Sequence, residues 1–143
     1  MDEQVRVYLE QHHAASMITL RPDGTPHAAR VAVALVGDQL QSSGNQGRLR
    51  TRFLRRDPRC TLFVFPESGG QYLTLETRVT IVDGDDMAER SVELFQAMQP
   101  NGVPGTISWG GKPMSIDEFK QAMRDDSRLV YQFEIQRAYG SYA

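Results

Sequence analysis

Six arginines fall within twelve residues of a mildly acidic chain: Arg48, Arg50, Arg52, Arg55, Arg56 and Arg59. Immediately upstream runs Ser42-Ser43-Gly44-Asn45-Gln46-Gly47, which is small and polar. Small residues opening into a short arginine-bearing helix are the parts of a phosphate-holding site. Glycine lets the backbone approach an anion closely. The amides of a helix start point toward it, and a guanidinium offers forked, charge-assisted hydrogen bonds. A run of charges is also what a solvated helix face looks like. On a helical wheel Arg48, Arg52 and Arg55 share one side and Arg50 stands near the opposite one, so the six cannot all meet one small anion. On the residues alone both readings stay open.

Other chemistry is easier to exclude. A net charge of −2 and a pI near 5.9 argue against a general nucleic-acid binder, and Phe53 is the only aromatic within the cluster for base stacking. Fourteen of the sixteen basic residues are arginine, a bias that weakens any single arginine as a signal but does not explain their clustering. No Gly-x-Gly-x-x-Gly follows a strand pattern, and no Gly-x-Ser-x-Gly elbow is present. Gly105 to Lys112 resembles a phosphate-binding loop in composition only, because Gly111 stands where lysine must follow the second glycine. His12, His13 and His27 lack metal-ligand spacing, and the adjacent pair is expected at the surface. Asp83, Asp85 and Asp86 lack the glycine and distal glutamate of a calcium loop and read as a turn with an acidic helix start. Cys60 is the sole cysteine, so neither an intrachain disulfide nor a cysteine metal cluster is possible; it is expected in the core.

The elements that must position the arginines read as a meander. A short amphipathic helix over 2–13 precedes strands over 15–20, 26–36 and 39–43, with Pro22-Asp23-Gly24-Thr25 and Gly37-Asp38 as turns. The arginine helix runs from about 48 to 56 and stops at Asp57-Pro58, since a residue before proline avoids the helical region. Residues 59–65 read as a strand buried on both faces, 71–83 as a long strand, and 86–98 as a helix. The Gly- and Pro-rich stretch 99–113 reads as a surface loop. Ser115-Ile116-Asp117-Glu118 reads as a capping box for a helix to about 124, and 128–138 as the closing strand. Six mostly antiparallel strands with about four helices predict a mainly β chain, a barrel with peripheral helices, in one domain spanning 1–143. The acidic start leads into no apolar segment, and no run approaches the ~18 apolar residues of a membrane span. A cytoplasmic protein without membrane or nucleic-acid partners is expected.

Read in order, Pro22-Asp23-Gly24-Thr25-Pro26-His27, Arg30-Val31-Ala32-Val33, Ser42-Ser43 and Arg50-Thr51-Arg52-Phe53-Leu54-Arg55-Arg56-Asp57-Pro58-Arg59 resemble the pyridoxamine 5′-phosphate oxidase-like split β-barrel superfamily. The ending is similar too: Arg128-Leu129-Val130-Tyr131-Gln132-Phe133-Glu134, then Arg137-Ala138-Tyr139-Gly140. The likeness covers nearly the whole chain and is strongest to small actinobacterial flavin/deazaflavin oxidoreductases. Two departures stand out: Phe53 where the family usually has Asn, and Thr77-Arg78-Val79 where many members have Gly-x-Ala. The arginine–histidine substrate motif of the vitamin-making oxidase is not found, so that activity is not expected.

The resemblance implies a six-stranded, FMN-binding-like split barrel that forms a homodimer with cofactor at the interface. It implies coenzyme F-420 (8-hydroxy-5-deazaflavin) as cofactor, with FMN as the alternative. Carried over residue by residue, the phosphate would meet Ser42, Ser43, Arg50 and Thr51, with Arg48 and Arg55 as neighbours. The second strand, around Arg30, Val31 and Val33, would lie beside the ring system. Gln71 and Tyr72 would reach the ring, from either subunit. No catalytic side chain is implied, because the cofactor carries the chemistry; His27 is a candidate proton donor and Trp109 a candidate cover. The expected activity is an oxidoreductase transferring hydride to an enone, quinone or tetrapyrrole-like acceptor. A non-catalytic haem, tetrapyrrole or deazaflavin carrier of the same fold is the other expectation.

Overall fold

Alternation of inward and outward residues builds the barrel. A computed structural model describes residues 1–143. In chain order the elements are α1 (Glu3–Gln11), β1 (Ala14–Leu20), β2 (Pro26–Val36), β3 (Gln39–Asn45), α2 (Leu49–Arg56) and β4 (Arg59–Val64). They continue with β5 (Tyr72–Val82), α3 (Met87–Met98), β6 (Thr106–Trp109), β7 (Lys112–Ser115), α4 (Ile116–Asp125) and β8 (Arg128–Ser141). Six strands close on themselves in the order β1-β2-β3-β8-β5-β4, every pair antiparallel. Closure leaves no barrel edge with unpaired backbone groups. The family-like antiparallel barrel with four helices is what the structure shows.

The interior is filled from alternate positions of each strand: Ala15 and Met17, Val31 and Val33, Leu62 and Val64, Leu73 and Leu75, Leu129, Tyr131 and Phe133. Asp2 caps α1 by accepting from the amides of Gln4 and Val5, and the helix adds Val5, Tyr8 and Leu9 to the same core. Cys60 lies in this core, where burial pushes its thiol up to about 12.

Strand β4 departs from expectation. It is not buried on both faces: Cys60, Leu62 and Val64 point inward, while Phe63 is 38% exposed beside Phe65 and Tyr72. No element covers the outer face there, so a continuous apolar run became a one-sided strand. The histidine pair departs too. His12 packs on the Tyr8 ring and His13 Nδ1 lies 2.9 Å from the Val33 carbonyl, so both are half-buried at the end of α1.

A second layer covers the outer face of β2, β3 and β8. There α3 and α4 pack Met87, Val92, Leu94, Phe95, Phe119 and Met123 against Ala34 and Val130. The capping box at Ser115 and Glu118 is present and starts α4. The stretch 99–113 is not simply a loop. It contains β6, which pairs with β7 through a turn at Gly110-Gly111, both at positive φ. Ile107, 1% exposed, is the anchor; burying one such side chain contributes about 1.5–3 kcal/mol, enough to settle a four-residue strand. No helix is long and apolar enough to cross a membrane.

Candidate anion-binding site

The two-residue period of the sheet decides which side chains face outward. Along β2, Val31 and Val33 enter the barrel core, so Arg30, Ala32 and Ala34 face the second layer. Along β3, Ser42 is paired with Val33 and points in, so Ser43 points out, opposite Val130. Where α3 ends, this outer face is left uncovered. A cavity of about 240 Å³ opens there. Its walls are Arg30, Val31, Ala32 and Ser43 from the sheet, Phe95 and Met98 from α3, Arg50 from the first turn of α2, and Arg128 at the start of β8.

The cavity is strongly cationic. Arg128 is only 9% exposed. It donates through Nη2 to Ser43 Oγ at 2.8 Å and through Nη1 to Asp126 Oδ2 at 3.3 Å, while its Nε has no partner. Burial lowers its pKa from the ordinary arginine value, the Asp126 carboxylate opposes the shift, and the charges of Arg48 and Arg50 reinforce it. The side chain remains charged, but it sits in a site short of negative charge. Arg50 has a buried Nε without a partner, and its guanidinium carbon lies 5.8 Å from the centre of the Tyr131 ring. Asp126 is the only carboxylate paired with any of Arg30, Arg48, Arg50 or Arg128. Arg30, Arg50 and Arg128 thus line one cavity with a single paired carboxylate among them, an excess of positive charge that an anion would offset. The residues present therefore fit a phosphate group.

Three more arginines of the cluster are engaged away from the cavity, and Arg52 is exposed. Arg55 donates to Asp83 Oδ2 at 2.7 Å and to Gln46 Oε1 at 2.8 Å; the Arg55 bond, and a second from Gln46 Nε2, hold the Asp83 carboxyl below its usual range. Arg56 donates to the Leu20 carbonyl, and Arg59 clasps Asp57. Arg48 is the residue preceding α2 and is exposed; its charge, not its side-chain bonding, reaches the cavity.

Several residues expected at the phosphate, and Val33 expected beside the ring, turn into the barrel instead. Ser42 Oγ donates to the Ala32 carbonyl, and Val33 is fully buried. The Thr51 hydroxyl bonds the Asn45 carbonyl and the Tyr131 hydroxyl. Gly44 gives a further correction: it belongs to β3, and a Cβ there would sit on the Tyr131 hydroxyl. It admits Tyr131, which in turn fixes the start of α2 and hence Arg50. His27 packs edge-on against Phe53 at 5.5 Å and does not line the cavity. That contact occupies the position where the family usually has Asn. Gln71 precedes β5 and Tyr72 begins it, stacked on Phe63 at 5.4 Å, also outside the cavity wall. The second departure, Thr77-Arg78-Val79, follows a β-bulge between Glu76 and Thr77, where Thr77 Oγ1 donates to the Cys60 carbonyl.

The structure thus gathers Arg30, Val31, Ser43 and Arg50 of the expected set, and adds Arg128, Ala32, Phe95 and Met98. A larger hollow of about 760 Å³ near α1 is lined by Asp2, Asp38 and Glu134 against the single Arg90, and is unsuited to an anion.

Among solved structures the chain is similar to an F420 reductase, at 20% identity over 97% of this chain and 98% of that one, with a TM-score of 0.70. It is similar to the conserved hypothetical protein Rv2991 of Mycobacterium tuberculosis, at 17% identity over 99% and 85% of the two chains, with a TM-score of 0.74. It is also similar to a heme binding protein of Mycobacterium smegmatis, at 18% identity over 99% of this chain and 54% of that one, with a TM-score of 0.66. At these identities the likeness shows the shared fold alone. The sequence model of the pyridoxamine 5′-phosphate oxidase family matches residues 1–142, and the chain belongs to that family.

Proposed function

We propose that the protein is a coenzyme F-420-dependent oxidoreductase that reduces a conjugated small-molecule acceptor, an enone, quinone or tetrapyrrole-like compound, as a homodimer. The observation that carries this reading is the cavity lined by Arg30, Arg50 and Arg128, among which Asp126 is the one paired carboxylate. Arg50 would hold the cofactor phosphate, and Ser43 would position the neighbouring guanidinium. The outer edge of β2 at Arg30 and Ala32, with Val31 behind it, would flank the ring. Phe95 and Met98 would exclude water from that side. The exposed rings of Phe63 and Tyr139 on the far side of the barrel, with Tyr72 between β4 and β8, suit burial against a second copy.

When bound, a reduced deazaflavin supplies the hydride. The chain's part is to bind, orient and shield. Cys60 is buried and His27 lies outside the cavity, so neither is placed to act on an acceptor there. A cytoplasmic location accords with this chemistry.

FMN is the second reading, because arginines recognise the charge of a phosphate and not the ring attached to it. Incubation with each cofactor, gel filtration and a visible spectrum separate the two. Retention of FMN with no binding of deazaflavin would refute the F-420 reading. Tight retention without turnover of any acceptor would instead indicate a carrier protein, the role for which the heme binding neighbour is named.

A further inference from the structure

Strand β8 carries an extra residue where it passes β5. Glu76 is paired with Arg137 and Thr77 with Ile135, so Gln136 is left without a partner in the register. A bulge of this kind bends its strand and re-aims the side chains around it. Here a hollow of about 340 Å³ lies over it on the outer face of the barrel, within the size range of small-molecule sites. Ile18 and Leu20 of β1 form its apolar side, and Glu76 and Gln136 part of its polar side. Arg59 and Arg78, directly opposite each other on β4 and β5, complete it.

Like charges set directly opposite on a sheet repel. Only one of these two is neutralised: Arg59 clasps Asp57 at 2.8 Å. Arg78 is exposed and forms no ion pair. Glu134 lies opposite it on β8, but that carboxylate accepts from Gln136 Nε2 at 2.7 Å. Glu76 is turned toward Arg137, at 3.7 Å. The hollow thus offers one accessible positive charge without a partner, beside an apolar side and an engaged carboxylate. None of its residues lines the cavity beside α2. Phe63, the next outward residue of β4 after Thr61, is not part of its wall.

We infer that the hollow over the β8 bulge is a second small-molecule site, and that it takes a carboxylate on an apolar body. Arg78 receives the carboxylate, and Ile18 and Leu20 cover the body. A second negative charge on the ligand would face Glu76, so the site rejects dianions. The inference goes beyond the cofactor reading and does not depend on it.

The test uses naphthoate as the probe, with naphthamide as its neutral analogue and a naphthalene dicarboxylate as the dianion. Each is titrated calorimetrically into the full chain. Naphthoate is expected to bind about tenfold or more tightly than naphthamide, the effect of one hydrogen-bonded charge. The dicarboxylate is expected to bind more weakly than naphthoate. Arg78→Gln lowers naphthoate to the affinity of naphthamide without moving Tm, because the side chain holds nothing in the fold. Arg78→Lys keeps a point charge without the fork and lowers the ratio of the two affinities at least about threefold, which keeps the test available should the glutamine variant fail to fold. Leu20→Ala weakens both probes alike, at least about threefold, since it removes apolar surface common to the two. Arg50→Ala leaves both as they are. Equal binding of naphthoate and naphthamide, a preference that survives in the Arg78 variants, or a dicarboxylate bound more tightly than naphthoate overturns the inference. So does a loss of naphthoate in Arg50→Ala, which would put the carboxylate in the cavity beside α2.

Discussion

The Arg128 guanidinium carbon lies 4.8 Å from the centre of the Trp109 ring. A desolvated cation–π contact of this kind contributes about 2 kcal/mol. Its consequence is geometric as well. Trp109 ends β6, so the small hairpin outside the barrel holds the one buried arginine against the end of β3. Sheet, α3 and arginine helix each supply a part of the cavity wall, and the hairpin holds Arg128 from behind.

Arg55 separates the cavity from the rest of the cluster. Its contact with Asp83 is an ion pair with both partners well exposed, 46% and 37%. Such pairs contribute about 0–1 kcal/mol. Arg55→Ala is expected to lower stability by no more than about 1 kcal/mol and to leave cofactor affinity within about twofold, against a loss of tenfold or more at Arg50. Denaturant melts and cofactor titration check both halves.

Gly44 carries a different expectation. A methyl group at this position would meet the Tyr131 ring and hydroxyl inside a packed barrel. Gly44→Ala should cost about 1–3 kcal/mol, the usual range for overpacking. Shortening the opposing side chain with Tyr131→Leu in the Gly44→Ala background should recover part of that loss. A double-mutant cycle measures the coupling, and strict additivity would show that the two positions do not meet.

Asp57 gives stability a pH dependence. Its carboxyl is held at about 2, below the ordinary 3.8, first by the side-chain bonds from Arg59 and then by the Arg59 amide and the nearby positive charge. A depressed pKa means that the carboxylate stabilises the fold above pH 3.8, and that this stabilisation fades as pH falls toward 2. The gap in Tm between wild type and Asp57→Asn should therefore be widest near neutrality and shrink across that window. A constant gap would mean that the charge contributes nothing.

The barrel was legible because its strands alternate and its turns carry Gly, Pro and Asp at the positions that need them. Strands 26–36 and 59–65 lie within a residue of the observed β2 and β4, and Ser115 with Glu118 announces α4. The β6–β7 hairpin was not legible. Its strands are four residues long, set among glycines and prolines, and they form because Ile107 finds a buried place that only the assembled second layer provides. Arg50 stood out in the sequence because it sits in a cluster. Arg128 did not, although one signal was available: it is in phase with Val130 on the covered face of β8, where an apolar residue would be the ordinary choice. The pairing of Asn45 with Arg128 across β3 and β8 brings it to the cavity, and sheet closure is not written in local spacing. Ser42, Val33 and Thr51 lie close to the cavity in sequence but are turned inward, a distinction set by strand phase for the first two and by helix phase for Thr51.

The most direct measurement is the affinity of Arg50→Ala for coenzyme F-420, with circular dichroism and Tm as controls on the fold. The Arg50 side chain is only half-buried and its Nε has no protein partner, so the fold should survive its loss. The account predicts affinity weakened by about 1.5–3 kcal/mol, the range for hydrogen bonds to charged groups, in a protein that melts as the wild type does. Wild-type affinity in a folded Arg50→Ala protein would contradict it and place the cofactor phosphate elsewhere.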